Sequence, residues 1–90
     1  MNSNLQLNPI IECIEIDGEI ILKNNNVQSI YVANKTMSDI VKYIAHKQVN
    51  IIQLKSHFFS LYPSISDDIL TKDFNNALQL MEHNNVIEYI

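Results

Sequence analysis

The sequence predicts an α+β fold in which a three-stranded antiparallel sheet precedes three helices, and three observations carry that prediction. Between residues 10 and 33, β-branched runs are separated first by Asp-Gly and then by an Asn-rich stretch, the punctuation of consecutive hairpins. From Asn34 onward the apolar spacing changes to i, i+3, i+4, the period of a helix with one buried face. The chain has only 90 residues, so both halves must share one core, and 47% hydrophobic residues are enough to build it.

The first nine residues are polar, unpatterned and closed by Pro9, which predicts a flexible tail over 1–9 ahead of a domain over 10–90. Ile10 to Ile16 reads as the first strand, with Cys13 as a buried thiol within it. Asp17-Gly18 is a two-residue hairpin signal, and Gly18, the only glycine of the chain, stands where positive φ is needed. Glu19 to Lys23 is the second strand. Asn24, Asn25 and Asn26 make a looser turn, because Asn bonds to its own backbone and tolerates left-handed geometry. Val27 to Ala33 is the third strand. Its alternation separates Gln28, Ile30 and Val32 from Val27, Ser29 and Tyr31, so both faces carry apolar groups.

Asn34 is placed to cap the first helix, whose stripe is Met37, Ile40, Val41, Ile44 and Ala45. Asn50 is placed to cap the second, with Ile51, Leu54, Phe58, Leu61 and Tyr62 on one side. Pro63 breaks it, and Ser66 or Ser64, followed by Asp67 and Asp68, starts a third helix that runs to about Asn84. Val86 to Ile90 closes the chain as a short strand or extended end. Two short helices, a tight break, a longer helix and a hairpin together describe a winged helix-turn-helix-like arrangement.

The third helix carries two distinct faces. Leu70, Phe74, Ala77, Leu78 and Met81 fall together as a core stripe. Ile69, Lys72, Asp73, Asn76, Leu80 and His83 cluster on another side, where two large apolar residues sit among polar ones. Such a side is either an ordinary amphipathic margin or a surface that receives a partner.

Composition weighs against several function classes. Six Lys and Arg against ten Asp and Glu, with a formal charge of −4, give no basic stripe for nucleic acid. A single cysteine forbids an intrachain disulfide. No run approaches the ~18 apolar residues of a membrane span, and the N-terminus lacks a basic-plus-hydrophobic signal segment, so a cytoplasmic protein without membrane contact is expected. His46, His57 and His83 lack a metal-ligand framework, Asp67-Asp68 reads as helix N-terminal charge, and one glycine cannot make a phosphate loop. No catalytic residue, metal or cofactor is expected.

At "YVANKTMSDIVKYI" and "KDFNNALQLMEHNNVIEYI" the chain resembles the PqqD family, the peptide-recognition domain of pathways that modify ribosomally made peptides. Asn34 matches the family's helix-opening Asn, Ile40 its Ile, Val41 its Trp position, and Tyr43 and Ile44 its paired apolar residues. Ala33 replaces the usual Leu, and Ser38 a small or Gly residue. In the third helix Asp73, Phe74, Ala77, Leu78, Met81, Asn85 and Val86 follow the family's spacing, with Asn85 where Gly is usual. The resemblance covers about residues 10–90.

The resemblance implies a recognition element that binds the leader segment of a precursor peptide, as a natural-product peptide chaperone. The leader would add as a strand to the third strand, at Gln28, Ser29, Ile30, Tyr31 and Val32, and lie against Ile69, Lys72, Asp73, Asn76 and Leu80 of the third helix. The implied partners are the precursor leader peptide and a modifying enzyme, either a radical-SAM maturase or a leader peptidase. An unpaired strand edge suits that role independently, since its main chain binds any extended peptide and its neighbours choose among them. Two other classes stay open: a winged-helix DNA-binding regulator, which the acidic third helix disfavours, and a structural or homodimeric subunit paired through the same edge.

Overall fold

A computed structural model describes residues 3–90. Its elements follow the order β1 (Asn4–Leu7), β2 (Ile11–Ile16), β3 (Glu19–Asn24), β4 (Ser29–Val32), α1 (Lys35–Ile44), β5 (Val49–Asn50), α2 (Ile51–Ser60), α3 (Asp67–His83) and β6 (Ile87–Tyr89). Strands β2, β3 and β4 form the expected three-stranded antiparallel sheet in that order, and the three helices follow it.

The β2–β3 hairpin turns on Asp17 and Gly18, both at positive φ (51° and 83°), the geometry of a tight turn whose twist matches the strands. The β3–β4 connection works differently from expectation. The buried Asn24 carboxamide accepts the N–H groups of Asn26 (3.0 Å) and Val27 (3.4 Å), and the left-handed residue is Gln28, not an Asn. The last strand of this sheet therefore starts at Ser29, later than the predicted Val27.

Each helix opens on the residue the sequence marks. The side chains of Asn34, Asn50 and Ser66 accept the N–H groups of Met37, Ile52 and Ile69, so Ser66 and not Ser64 caps α3. At the other end of α3, Asn85 takes φ 59°, its N–H bonds to Glu82 O (3.0 Å), and Val86 N–H reaches Met81 O (2.8 Å). That is a Schellman closure with Asn in the glycine position, and its hydrophobic partners Met81 and Val86 are both buried.

Two expectations are corrected. The segment read as a flexible tail is, from Asn4, the central strand of a second sheet ordered β5-β1-β6 (Met1 and Asn2 lie outside the described residues). Leu5 is fully buried there, and Ile51 N–H bonds to Ser3 O at 2.7 Å, so a single apolar residue at the right alternation anchors the start of the chain. Cys13, expected in the core, is exposed. It lies on the edge strand β2, beside the open cleft between β2 and α1, while Leu22 directly opposite it is buried. Its thiol is still pushed above the ordinary value, by partial desolvation and then by the Glu15 carboxylate.

The core gathers Ile20 and Leu22 of β3 with Met37, Ile40, Val41 and Ile44 of α1, Leu54 and Phe58 of α2, and the whole predicted stripe of α3. One polar network lies inside it. Asp39 is 9% exposed and accepts from the Tyr62 hydroxyl and from Lys35 Nζ at 3.3 Å, so its carboxylate is satisfied on both oxygens. The Asp39 bond and burial raise the Tyr62 phenol above its ordinary value.

Candidate functional site

Among the described residues, strand β4 is paired on one side only, with β3. The phase of the ladder decides which groups are left over. Ala33 N–H bonds to Ile20 O at 2.9 Å, and Tyr31 and Ser29 stand opposite Leu22 and Asn24 at the alternate positions. Antiparallel geometry then turns the N–H and C=O groups of Ser29, Tyr31 and Ala33 toward β3 and those of Ile30 and Val32 toward the free edge. An extended chain laid along β4 meets those two residues as its hydrogen-bonding partners.

The two edges of this sheet are not alike. On β2, Glu12 and Glu15 are exposed, and a charge on an edge strand discourages added strands. On β4 there is no charge at all: Ser29, Ile30 and Val32 are exposed and Tyr31 is half-buried. Of these two edges, β4 is the one open to strand addition without burying an unpaired carboxylate.

Side-chain direction separates the strand into two sets. Tyr31 and Ser29 share the core-side face with buried Leu22 and Asn24. The Tyr31 hydroxyl, a candidate for bonding a polar ligand group, instead donates to the Met37 sulfur at 3.1 Å. Ile30 and Val32 point to the opposite face, 69% and 58% exposed. Gln28 lies in the turn ahead of the strand, where its side-chain amide donates to Asn25 O at 2.9 Å.

Two depressions border this edge, one closed by the segment that follows α3 and the other walled by α3 itself. One, of about 160 Å³, includes Ser29, Ile30 and Tyr31 of β4 with Asn84 and Val86 at the end of α3. The other, of about 240 Å³, lies between Asn34, Thr36 and Met37 at the start of α1 and Asp73, Asn76, Ala77 and Leu80 of α3. Tyr31 belongs to the first and Met37 to the second, so their hydrogen bond joins the two. Asp73, Asn76, Leu80 and Asn84 follow the three- and four-residue spacing of one helix face. The second depression has buried Met37 and Ala77 at its base, with exposed Leu80 over them, and polar Asn34, Thr36, Asp73 and Asn76 around it.

Of the expected wall residues, Asp73, Asn76 and Leu80 are thus brought together, with Leu80 43% exposed. Ile69 (56% exposed) and Lys72 lie outside both depressions, nearer the start of the helix. Asn34, Thr36, Met37, Asn84 and Val86 join the site without having been expected there. Asn34 and Met37 carry strong cap and core signals, which conceal that the same residues also border a surface.

A larger cleft of about 450 Å³ opens between β2 and α1, lined by Leu7, Cys13, Glu15, Lys42 and His46 among others. Among the described residues no group of three or more His, Cys, Asp or Glu side chains is arranged to hold a metal ion. Among the described residues no helix is long and apolar enough to cross a membrane.

The fold is shared with a solved structure, TbiB1 in complex with the TbiA(beta) leader peptide. The TM-score is 0.79 at 13% identity, covering 92% of this chain and 94% of that one. The chain matches no family model and no curated protein.

Proposed function

We propose that the protein is a non-catalytic adaptor that captures the leader segment of a ribosomally made precursor peptide and presents it to a modifying enzyme. The observation that carries this reading is the uncharged free edge of β4 beside the Asp73–Asn84 face of α3. The leader adds to Ile30 and Val32 through main-chain bonds, and its core-side residues enter the two depressions, which choose among sequences. The PqqD-like residues and the fold shared with a leader-bound protein support the same assignment.

The adaptor acts by proximity. A held leader keeps its attached core peptide near the enzyme, which turns a bimolecular encounter into a nearly intramolecular one. A radical-SAM maturase or a leader peptidase is the enzyme class that such a presentation serves. Ordering an unstructured leader offsets part of the contact energy, so a dissociation constant near or below about a micromolar is expected. A DNA-binding role is disfavoured because Asp67, Asp68, Asp73 and Glu82 of α3 are all exposed and only Lys72 opposes them.

The test is an amide NMR titration with the leader half of a short precursor peptide encoded beside the protein. Shifts concentrated at residues 29–33 and 73–86 support leader capture at this groove. An unchanged spectrum at near-millimolar peptide rules that pairing out. Shifts at β4 that depend on protein concentration without peptide assign the edge to a homodimer.

A further inference from the structure

The face of the sheet turned away from α3 carries a cross-strand row that stops short at β4. Ile14, Ile21 and Val32 stand directly opposite one another across the three strands. In the next row Glu12, Lys23 and Ile30 do the same. The interior member Ile21 is flanked on both sides and half-buried, whereas Val32 and Ile30, the end members, are 58% and 69% exposed. Large aliphatic residues at an uncovered edge promote unwanted pairing unless something covers them.

The geometry points to a second specificity element on this outer face: Ile30 and Val32 select aliphatic side chains at two leader positions separated by one residue. This inference rests on the leader-capture reading and adds to it the chemistry of the bound segment. Because Ile30 and Val32 present their main chains to the free edge, the residues opposite them in an antiparallel leader form the hydrogen-bonded pairs. Directly paired residues share a face, so those two leader side chains point outward, each extending one row. The residue between them points inward with Tyr31, toward α3. A leader that fits therefore has apolar, preferably β-branched, residues at i and i+2 on the outer face, and residues suited to the depressions at i+1 and its alternates. A peptide bearing charges at i and i+2 would reach the same hydrogen bonds and leave Ile30 and Val32 uncovered.

The test selects binders to the full chain from a peptide library with consecutive positions randomised between fixed polar flanks. On the natural protein, β-branched and aliphatic residues should be enriched by up to roughly fivefold at i and i+2, beside a separate preference at the inward positions. The double variant Ile30→Lys, Val32→Lys should move the i and i+2 preference to Asp and Glu while the inward preference stays. Both sites are exposed on an edge strand, where Lys is tolerated. If that variant fails to give a folded amide spectrum, Ile30→Thr, Val32→Thr keeps strand propensity and should flatten the same two positions. Identical selections by natural and variant proteins overturn the outer-face inference while leaving strand addition intact. A library that yields no consensus on the natural protein overturns leader capture itself.

Discussion

The Tyr31 hydroxyl donates to the Met37 sulfur at 3.1 Å, tying the last strand of the sheet to the first turn of α1. A thioether is a weak acceptor, and Tyr31 is half-buried, so the bond positions the ring more than it stabilises the fold. Tyr31→Phe should lower stability by no more than about 1 kcal/mol and leave peptide affinity within about threefold, since the ring remains in the groove. A tenfold loss of affinity with unchanged stability would instead place the hydroxyl on the ligand. Urea melts and a fluorescence-anisotropy titration of a labelled leader read the two effects separately.

Leu80 is 43% exposed and sits over the apolar floor of the depression beside Asp73 and Asn76. Leu80→Glu should change stability by about 0.5 kcal/mol or less, as an exposed helix substitution does. It should weaken leader binding tenfold or more, because an entering apolar side chain then meets a carboxylate that needs water. Ile69→Glu is the control: exposed on the same helix but outside the depression, it should leave binding unchanged.

Tyr62 and Asp39 supply a stability prediction with a pH signature. Asp39 is nearly buried and loses one of its two donors in Tyr62→Phe, so a loss of about 1–3 kcal/mol is expected. The Tyr62 phenol is raised in the folded protein, chiefly by its bond to Asp39 and then by burial, so folding favours its protonated form. Its contribution is therefore complete below the unfolded phenol value of about 10 and disappears as pH rises through the folded value. Urea midpoints of the natural protein and Tyr62→Phe should differ at pH 8 and converge in strong alkali; a gap that persists there contradicts the assignment.

Much of this architecture is written in local chemistry. Gly18, the three helix caps and Asn85 each mark a backbone position that few residues satisfy, and each stands where the sequence places it. The α3 core stripe was legible for the same reason, since a 3.6-residue period over seventeen residues leaves little ambiguity. The N-terminal strand was not. Asn4–Leu7 has one fully buried side chain, and its partners β5 and β6 lie more than forty residues away in sequence, so nothing local announces it. The exposure of Cys13 is not legible either, because it depends on how the edge strand is covered, a tertiary fact. The candidate groove was half legible: Asp73, Asn76 and Leu80, which line it, stand out in the sequence as polar and apolar residues off the core stripe. Met37 and Asn34 do not, since their structural roles account for them completely.

The sharpest test of strand addition uses proline at the free edge. Val32 N–H points away from β3, as the alternation set by the Ala33 N–H to Ile20 O bond requires, so Val32→Pro removes no hydrogen bond within the sheet. Its neighbour Tyr31 is already extended, the conformation that a following proline enforces. Folding should therefore survive with a loss of about 1 kcal/mol or less. The incoming leader, however, loses a main-chain donor and meets the pyrrolidine ring where its own carbonyl should sit, so affinity should fall at least tenfold. Tyr31→Pro reverses the pattern: its N–H belongs to the β3 ladder, and the substitution should unfold the strand or the whole domain. A Val32→Pro protein that melts like the natural one and still binds leader with full affinity would show that the peptide does not pair with β4, leaving only the α3 face as its site.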